Sequence, residues 1–249
     1  MLPVALAVAV ALLFGQGVVR LRRRGRADLA GWDRVALFGL GLALMVVALV
    51  GPLDRVAEDK YLSVHMLQHV LIGDAAPALM IVAVRGPLLV FLLPASVLAP
   101  LARSARVRSV LSTLLRPRVA FGLWAANLAI WHVPYLYDLA LRRQGLHDLE
   151  HLCWVLTGLI AWTLLVDPGS HRRLSVGGRI AFAAAMFAAG QVLTDVLVFT
   201  FHPLYPAYPG RTDQQLAGVV MMAEQLVTLG TLAFVLLRPR VRAARLVTA

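Results

Sequence analysis

A chain of 249 residues that is 60% apolar and 15% charged, with a mean hydropathy of +0.77, carries more apolar surface than one soluble core of this size can hide. Lipid is therefore its expected solvent. The net charge of +11 would suit nucleic acid, but the basic residues fall in short loops between apolar runs, which is a topology pattern and speaks against a nucleic-acid partner. A single cysteine, Cys153, excludes an internal disulfide framework and any C-x-x-C thiol site.

In chain order, runs of about 20 mostly apolar residues place spans over 2–19, 35–52, 63–84, 119–138, 147–166, 179–202 and 214–237. The first run has no basic stretch before it and is followed by Arg20, Arg22, Arg23 and Arg24, so it reads as a retained span and not a secretory signal. Pro87–Leu101 is also apolar, but it is short, broken by Pro94 and Pro100, and flanked by Arg85, Arg103, Arg106 and Arg108. It reads as an interfacial or re-entrant piece on the cytoplasmic side. The expected fold is an all-α integral membrane protein, a seven-transmembrane-helix bundle making one transmembrane domain over residues 1–249.

Charge sets the orientation. With seven spans, 19 of the 24 basic residues share one side, from Arg20 through Arg179 to Arg238, Arg240, Arg242 and Arg245. The opposite side receives only Arg55, Lys60, Arg142, Arg143 and Arg211. The positive-inside rule then puts the N-terminus outside and the C-terminus in the cytoplasm. Counting Pro87–Leu101 as an eighth span would put the later basic loops on the wrong side.

This orientation turns scattered histidines into a pattern. His65 and His69 open the third span, His132 lies near the outer end of the fourth, His147 and His151 open the fifth, and His202 closes the sixth. Only His171 falls on the cytoplasmic side. His65/His69 and His147/His151 have i, i+4 spacing, which stacks two imidazoles on one helix face about 6 Å apart. Neutral imidazole binds copper, zinc and haem iron. One histidine at headgroup depth needs only water, but two pairs and two singles at one level point to a metal site. The expected ligands are His65, His69, His132, His147, His151 and His202, with copper, zinc and haem iron all open at this point.

Asp74, Asp195 and Glu224 lie inside spans, where a carboxylate needs a partner or a cavity. Asp195 is two helical turns before His202 and is expected beneath the histidine site; Asp74 serves equally well as a helix-packing carboxyl. Gln68, Gln191, Gln214, Gln215 and Asn127 are candidates to orient imidazoles or to bond across helices. Met66 and Met221 are soft donors suited to Cu(I), although methionine in an apolar helix is mostly filler. Cys153 is expected to be a buried, inert thiol.

Two other chemistries share these residues. His147-Asp148-Leu149-Glu150-His151 matches the H-x-x-E-H pattern of zinc peptidases, but five residues match by chance and no distal acidic ligand is evident. Facing histidines could clamp a non-covalent haem, and the buried carboxylates could continue a metal-transport path. No C-x-x-C-H is present, so covalent haem attachment is excluded.

His65-Met66-Leu67-Gln68-His69 followed by Ala76-Pro77 resembles the signature of the multi-span CtaG family of cytochrome c oxidase assembly factors. Trp131-His132-Val133-Pro134-Tyr135-Leu136-Tyr137-Asp138, the His147–His151 stretch and Asp213-Gln214-Gln215-Leu216-Ala217-Gly218 resemble it too, so the likeness runs over about residues 30–237. The resemblance implies a multi-pass protein of the bacterial plasma membrane, not an enzyme. Its implied role is to assist copper insertion into a cytochrome c oxidase subunit through His65, His69, His132, His147 and His151. Two departures stand out. Met221 is followed by Met222, Ala223 and Glu224 where the family continues with tryptophan and glycine or proline, and Asp74 stands where an apolar residue is common.

Overall fold

Long runs of Ala, Leu and Val free of internal proline satisfy their own backbone hydrogen bonds as helices, which is what a lipid environment requires. The computed structural model describes the backbone of residues 2–247, and side chains except those of Leu2, Pro52, Asp59 and residues 239–247. The expected cytoplasmic charges Arg240, Arg242 and Arg245 lie outside the described side chains, and Met1, Thr248 and Ala249 outside the described residues.

The helices are α1 (Leu2–Arg23), α2 (Trp32–Leu49), α3 (Pro52–Asp59) and α4 (Leu62–Val70), which continues through a π-turn (Leu71–Ala75) into α5 (Ala76–Ala83). There follow α6 (Leu88–Phe91), α7 (Ala95–Arg103), α8 (Ala105–Leu114), α9 (Pro117–Trp131), α10 (Pro134–Arg142), α11 (Gln144–Val166), α12 (Val176–Phe199) and α13 (Arg211–Val247). No strand occurs among the described residues. Six stretches are long and apolar enough to cross a bilayer: Pro3–Arg23, Ala27–Leu49, Leu62–Ala83, Gln144–Val166, Val176–Phe199 and Arg211–Arg238. The pair α9 and α10 makes a seventh if counted as one broken span. The chain is a multi-pass, all-helical membrane protein.

The fourth expected span, 119–138, is not straight. It bends by 76° between α9 and α10. Pro134 has no N–H to give and disfavours helical geometry in the residue before it, and Val133 is accordingly extended, at φ −64°, ψ 120°. The 15 residues of α9 reach only ~22 Å at the helical rise, so its end at Trp131 stops short of a ~30 Å hydrocarbon core. The bend thus sets His132 at the end of a short helix. The Pro87–Leu101 region is two short helices. α6 docks on α1, where the Gln16 side chain donates to the Leu92 carbonyl at 2.9 Å and Leu88 is buried, whereas α7 and α8 bury no side chain. The short helix α3 was not foreseen in the sequence.

The helix ends sort by chemistry. Arg34, Arg85, Asp167 and Arg179 line one cavity, which brings the start of α2, the end of α5, the end of α11 and the start of α12 to the same side. Gly86 N–H donates to the Pro168 carbonyl at 2.6 Å there, and Arg179 pairs with Asp167 at 2.9 Å. The histidine-bearing starts of α4 and α11 are therefore at the opposite end.

Two contacts fix these helices. Without water between them, membrane helices associate by close packing and by hydrogen bonds. The π-turn and α11 cross at Gly73 and Gly158, where a side chain on Gly158 would run into the Gly73 carbonyl. At the histidine end, Asp213 of α13 caps α4. Its carboxylate accepts from Leu62 N–H at 2.6 Å, Ser63 N–H at 3.2 Å and the Ser63 hydroxyl. That bond set satisfies orphan amides of the first turn and places a negative charge at the helix's positive end.

Candidate metal centre

Helical spacing delivers His65 and His69 from α4, and His147 and His151 from α11, to one point. Their nearest ring nitrogens all lie within 4.8 Å of one another, and all four side chains are buried. His65 Nε2 sits 3.0 Å from His69 Nε2 and 3.4 Å from His147 Nε2. A tetrahedral ion with metal–nitrogen bonds of about 2.0–2.1 Å holds its donor atoms roughly 3.3–3.4 Å apart. The set can hold a metal ion with little movement.

The outer partners of two rings decide which nitrogens carry protons. The Tyr208 hydroxyl donates to the Ala57 carbonyl at 2.6 Å, so at 3.0 Å from His65 Nδ1 it can only accept. Nδ1 is then the protonated nitrogen of His65, and Nε2 presents a lone pair. His147 Nδ1 lies 2.9 Å from Glu58 Oε1 and donates to it, so its Nε2 likewise presents a lone pair. Two lone pairs thus face each other across 3.4 Å with no hydrogen between them. A carboxylate–histidine pair of this kind fixes the tautomer and raises ligand basicity. Burial pushes the Tyr208 and Tyr205 hydroxyls well above the ordinary phenol value, so Tyr208 stays a neutral acceptor.

Glu150 belongs to the centre in another way than the peptidase pattern requires. It is 1% exposed and places Oε1 3.6 Å from His69 Nε2. The two histidines of the pattern share their donors with His65 and His69, leaving no open position of the kind a hydrolytic zinc keeps for water. The cavity beside the cluster has a volume of ≈30 Å³.

The six histidines expected as ligands separate into three groups. Four converge. His132 is buried next to them, with Nδ1 donating to the Leu128 carbonyl at 2.8 Å and Nε2 3.3 Å from Met66 Sδ. His202 is exposed, beyond the end of α12. The helix stops at Phe199, with Thr200 extended, so the residues beyond it leave the helical face that the two-turn argument assumed. Asp195 is exposed as well and bonds Gln191 at 2.9 Å, so it does not lie beneath the histidines. Asp74 accepts from Trp162 Nε1 and faces Glu224, in the cavity that His69 and Met66 also line. Cys153 is half-buried.

The glutamines serve helix joints and not imidazoles. Gln68 donates to Ala48 and Asp54 at 2.8 and 2.7 Å, Gln214 ties Leu204 to Leu197, and Gln215 donates to Val198. The imidazole partners are Glu58 and Tyr208, which sequence inspection passed over. Glu58 sits on the unforeseen α3, and Tyr208 sits on the connection before α13.

The sequence profile of the cytochrome c oxidase caa3 assembly factors matches residues 12–243, and the chain belongs to that family. No curated protein and no solved structure matches it. The family is one of assembly factors and not of known enzymes.

Proposed function

With membership of that assembly-factor family as the premise, we propose that the protein carries copper to a cytochrome c oxidase subunit. In this reading His65, His69, His147 and His151 hold the ion as cargo on the extracytoplasmic side of a bacterial plasma membrane. The observation that carries the reading is the convergence of four buried imidazoles within 4.8 Å, in which the Nε2 lone pairs of His65 and His147 lie 3.4 Å apart, each set by its own outer partner. Buried atoms that both accept and have no proton between them are stabilised by a cation. Imidazole suits copper in either oxidation state, and an all-nitrogen site without thiolate releases its ion to a stronger acceptor. Glu58, with its side chain 31% exposed, marks the side on which solvent and a partner reach the centre.

The test is copper content of the purified full chain in detergent. His65→Ala with His69→Ala is expected to abolish copper retention at the histidine centre while expression and helix content stay at the wild-type level. Cells dependent on that variant should assemble oxidase lacking activity. Unchanged copper content in the double variant overturns the reading.

A further inference from the structure

The centre described above leaves out one imidazole and two methionines that line the adjoining cavity. His132 ends α9 at the bend, with φ −91° and ψ 3°, and its own carbonyl accepts from the Tyr205 hydroxyl at 3.1 Å. The ring is fixed from the other side by Nδ1 donating to the Leu128 carbonyl at 2.8 Å. A carbonyl only accepts, so Nδ1 carries the proton of the neutral ring and Nε2 carries the lone pair. That lone pair faces the Met66 sulfur at 3.3 Å, and a thioether has no hydrogen to offer. Both residues are buried, His132 to 92% and Met66 to 99%, so no bulk water relieves the contact. Met221, on α13, lines the same cavity and is 6% exposed.

We propose that His132 Nε2 with the sulfurs of Met66 and Met221 forms a second, softer metal site, selective for Cu(I), beside the four histidines. A nitrogen and two thioethers are donors for a soft monovalent ion, whereas zinc and divalent copper favour the imidazole set. The cavity volume of ≈30 Å³ is enough for an ion or for a water or two. The Trp154 ring touches both centres, at 5.5 Å from the His69 ring and 5.9 Å from the His132 ring, so the two sites are neighbours across a single side chain. The harder carboxylates of Asp74 and Glu224 also line the cavity, and Asp74 is engaged by Trp162. The site thus gives Cu(I) a buried position next to the histidine centre. Its existence does not depend on the outer histidines being occupied.

The full chain, purified in detergent and titrated anaerobically with Cu(I) against a competing chelator, tests this. Wild type is expected to retain two equivalents, with sulfur as well as nitrogen scattering in copper X-ray absorption. Met66→Leu with Met221→Leu conserves volume and should lose one equivalent and the sulfur scattering, keeping a nitrogen-only copper. Met45→Leu should change neither. His65→Ala with His69→Ala should lose the other equivalent and keep the sulfur-ligated one, which separates this site from the histidine centre. A single equivalent without sulfur scattering in wild type overturns the proposal. So does sulfur scattering that survives the paired methionine substitution, or that vanishes when only the two outer histidines are removed.

Discussion

Replacing Asp213 with alanine removes a carboxylate that belongs to α13 but holds the first turn of α4, and the effect is calculable from three bonds. The carboxylate accepts from Leu62 N–H at 2.6 Å and Ser63 N–H at 3.2 Å, and from the Ser63 hydroxyl. A hydrogen bond to a charged group contributes ~1.5–3 kcal/mol, and loss of a capping residue costs ~0.5–2 kcal/mol. These contributions overlap, since the two amides are also the capped donors. The combined loss is therefore about 3 kcal/mol, or roughly 6–12 °C of melting temperature for a chain of this length. The assay is thermal unfolding in detergent, read by tryptophan fluorescence and by a thiol-reactive dye on Cys153, the single cysteine. Asp213→Asn keeps one acceptor oxygen and should fall between wild type and Asp213→Ala. His65 is on the turn that Asp213 caps, so copper retention should weaken along with stability. An Asp213→Ala protein that melts within ~2 °C of wild type would refute the argument, because a shift that small corresponds to no more than ~1 kcal/mol.

Glu58→Gln keeps the size of the side chain but exchanges a charged acceptor for a neutral one opposite His147 Nδ1; copper affinity should fall about tenfold, with Glu58→Ala nearer a hundredfold, measured by chelator competition. Equal affinities in all three proteins would remove Glu58 from the centre. Gly158→Ala places a methyl group against the Gly73 carbonyl and forces α11 away from the π-turn, at a cost of ~1–3 kcal/mol for overpacking. It should loosen the four-histidine set without altering a ligand, and unchanged copper affinity would show that the crossing does not set the donor spacing.

The membrane class and the histidine pairs were legible because both are periodic: apolar length gives the spans, and i, i+4 spacing gives a shared face. His65, His69, His147 and His151 converge for that reason. The reading fails where position depends on how a helix ends. His202 was extrapolated along a helix that stops at Phe199, and Asp195 inherited the error. The fourth span seemed continuous because its apolar residues run through the bend, although Pro134 was a visible warning that Val133 would be extended. Glu58 had no periodic signal at all. It lies on an eight-residue polar helix between spans, and only the tertiary fold brings it to His147.

In His132 and His65 alike, a backbone carbonyl decides which imidazole nitrogen carries the proton. His132 gives its Nδ1 proton to a carbonyl of its own helix, and His65 gives its proton to a tyrosine already committed to the Ala57 carbonyl. In each case a carbonyl, which cannot donate, forces a lone pair into the interior. Such a lone pair is costly inside a membrane unless a donor or a cation meets it. His147 reaches the same state through a carboxylate and not a carbonyl, and it is the ring whose partner is part-exposed. Loss of the Glu58 carboxylate would therefore act on His147 first, while His132 keeps its bond to the Leu128 carbonyl.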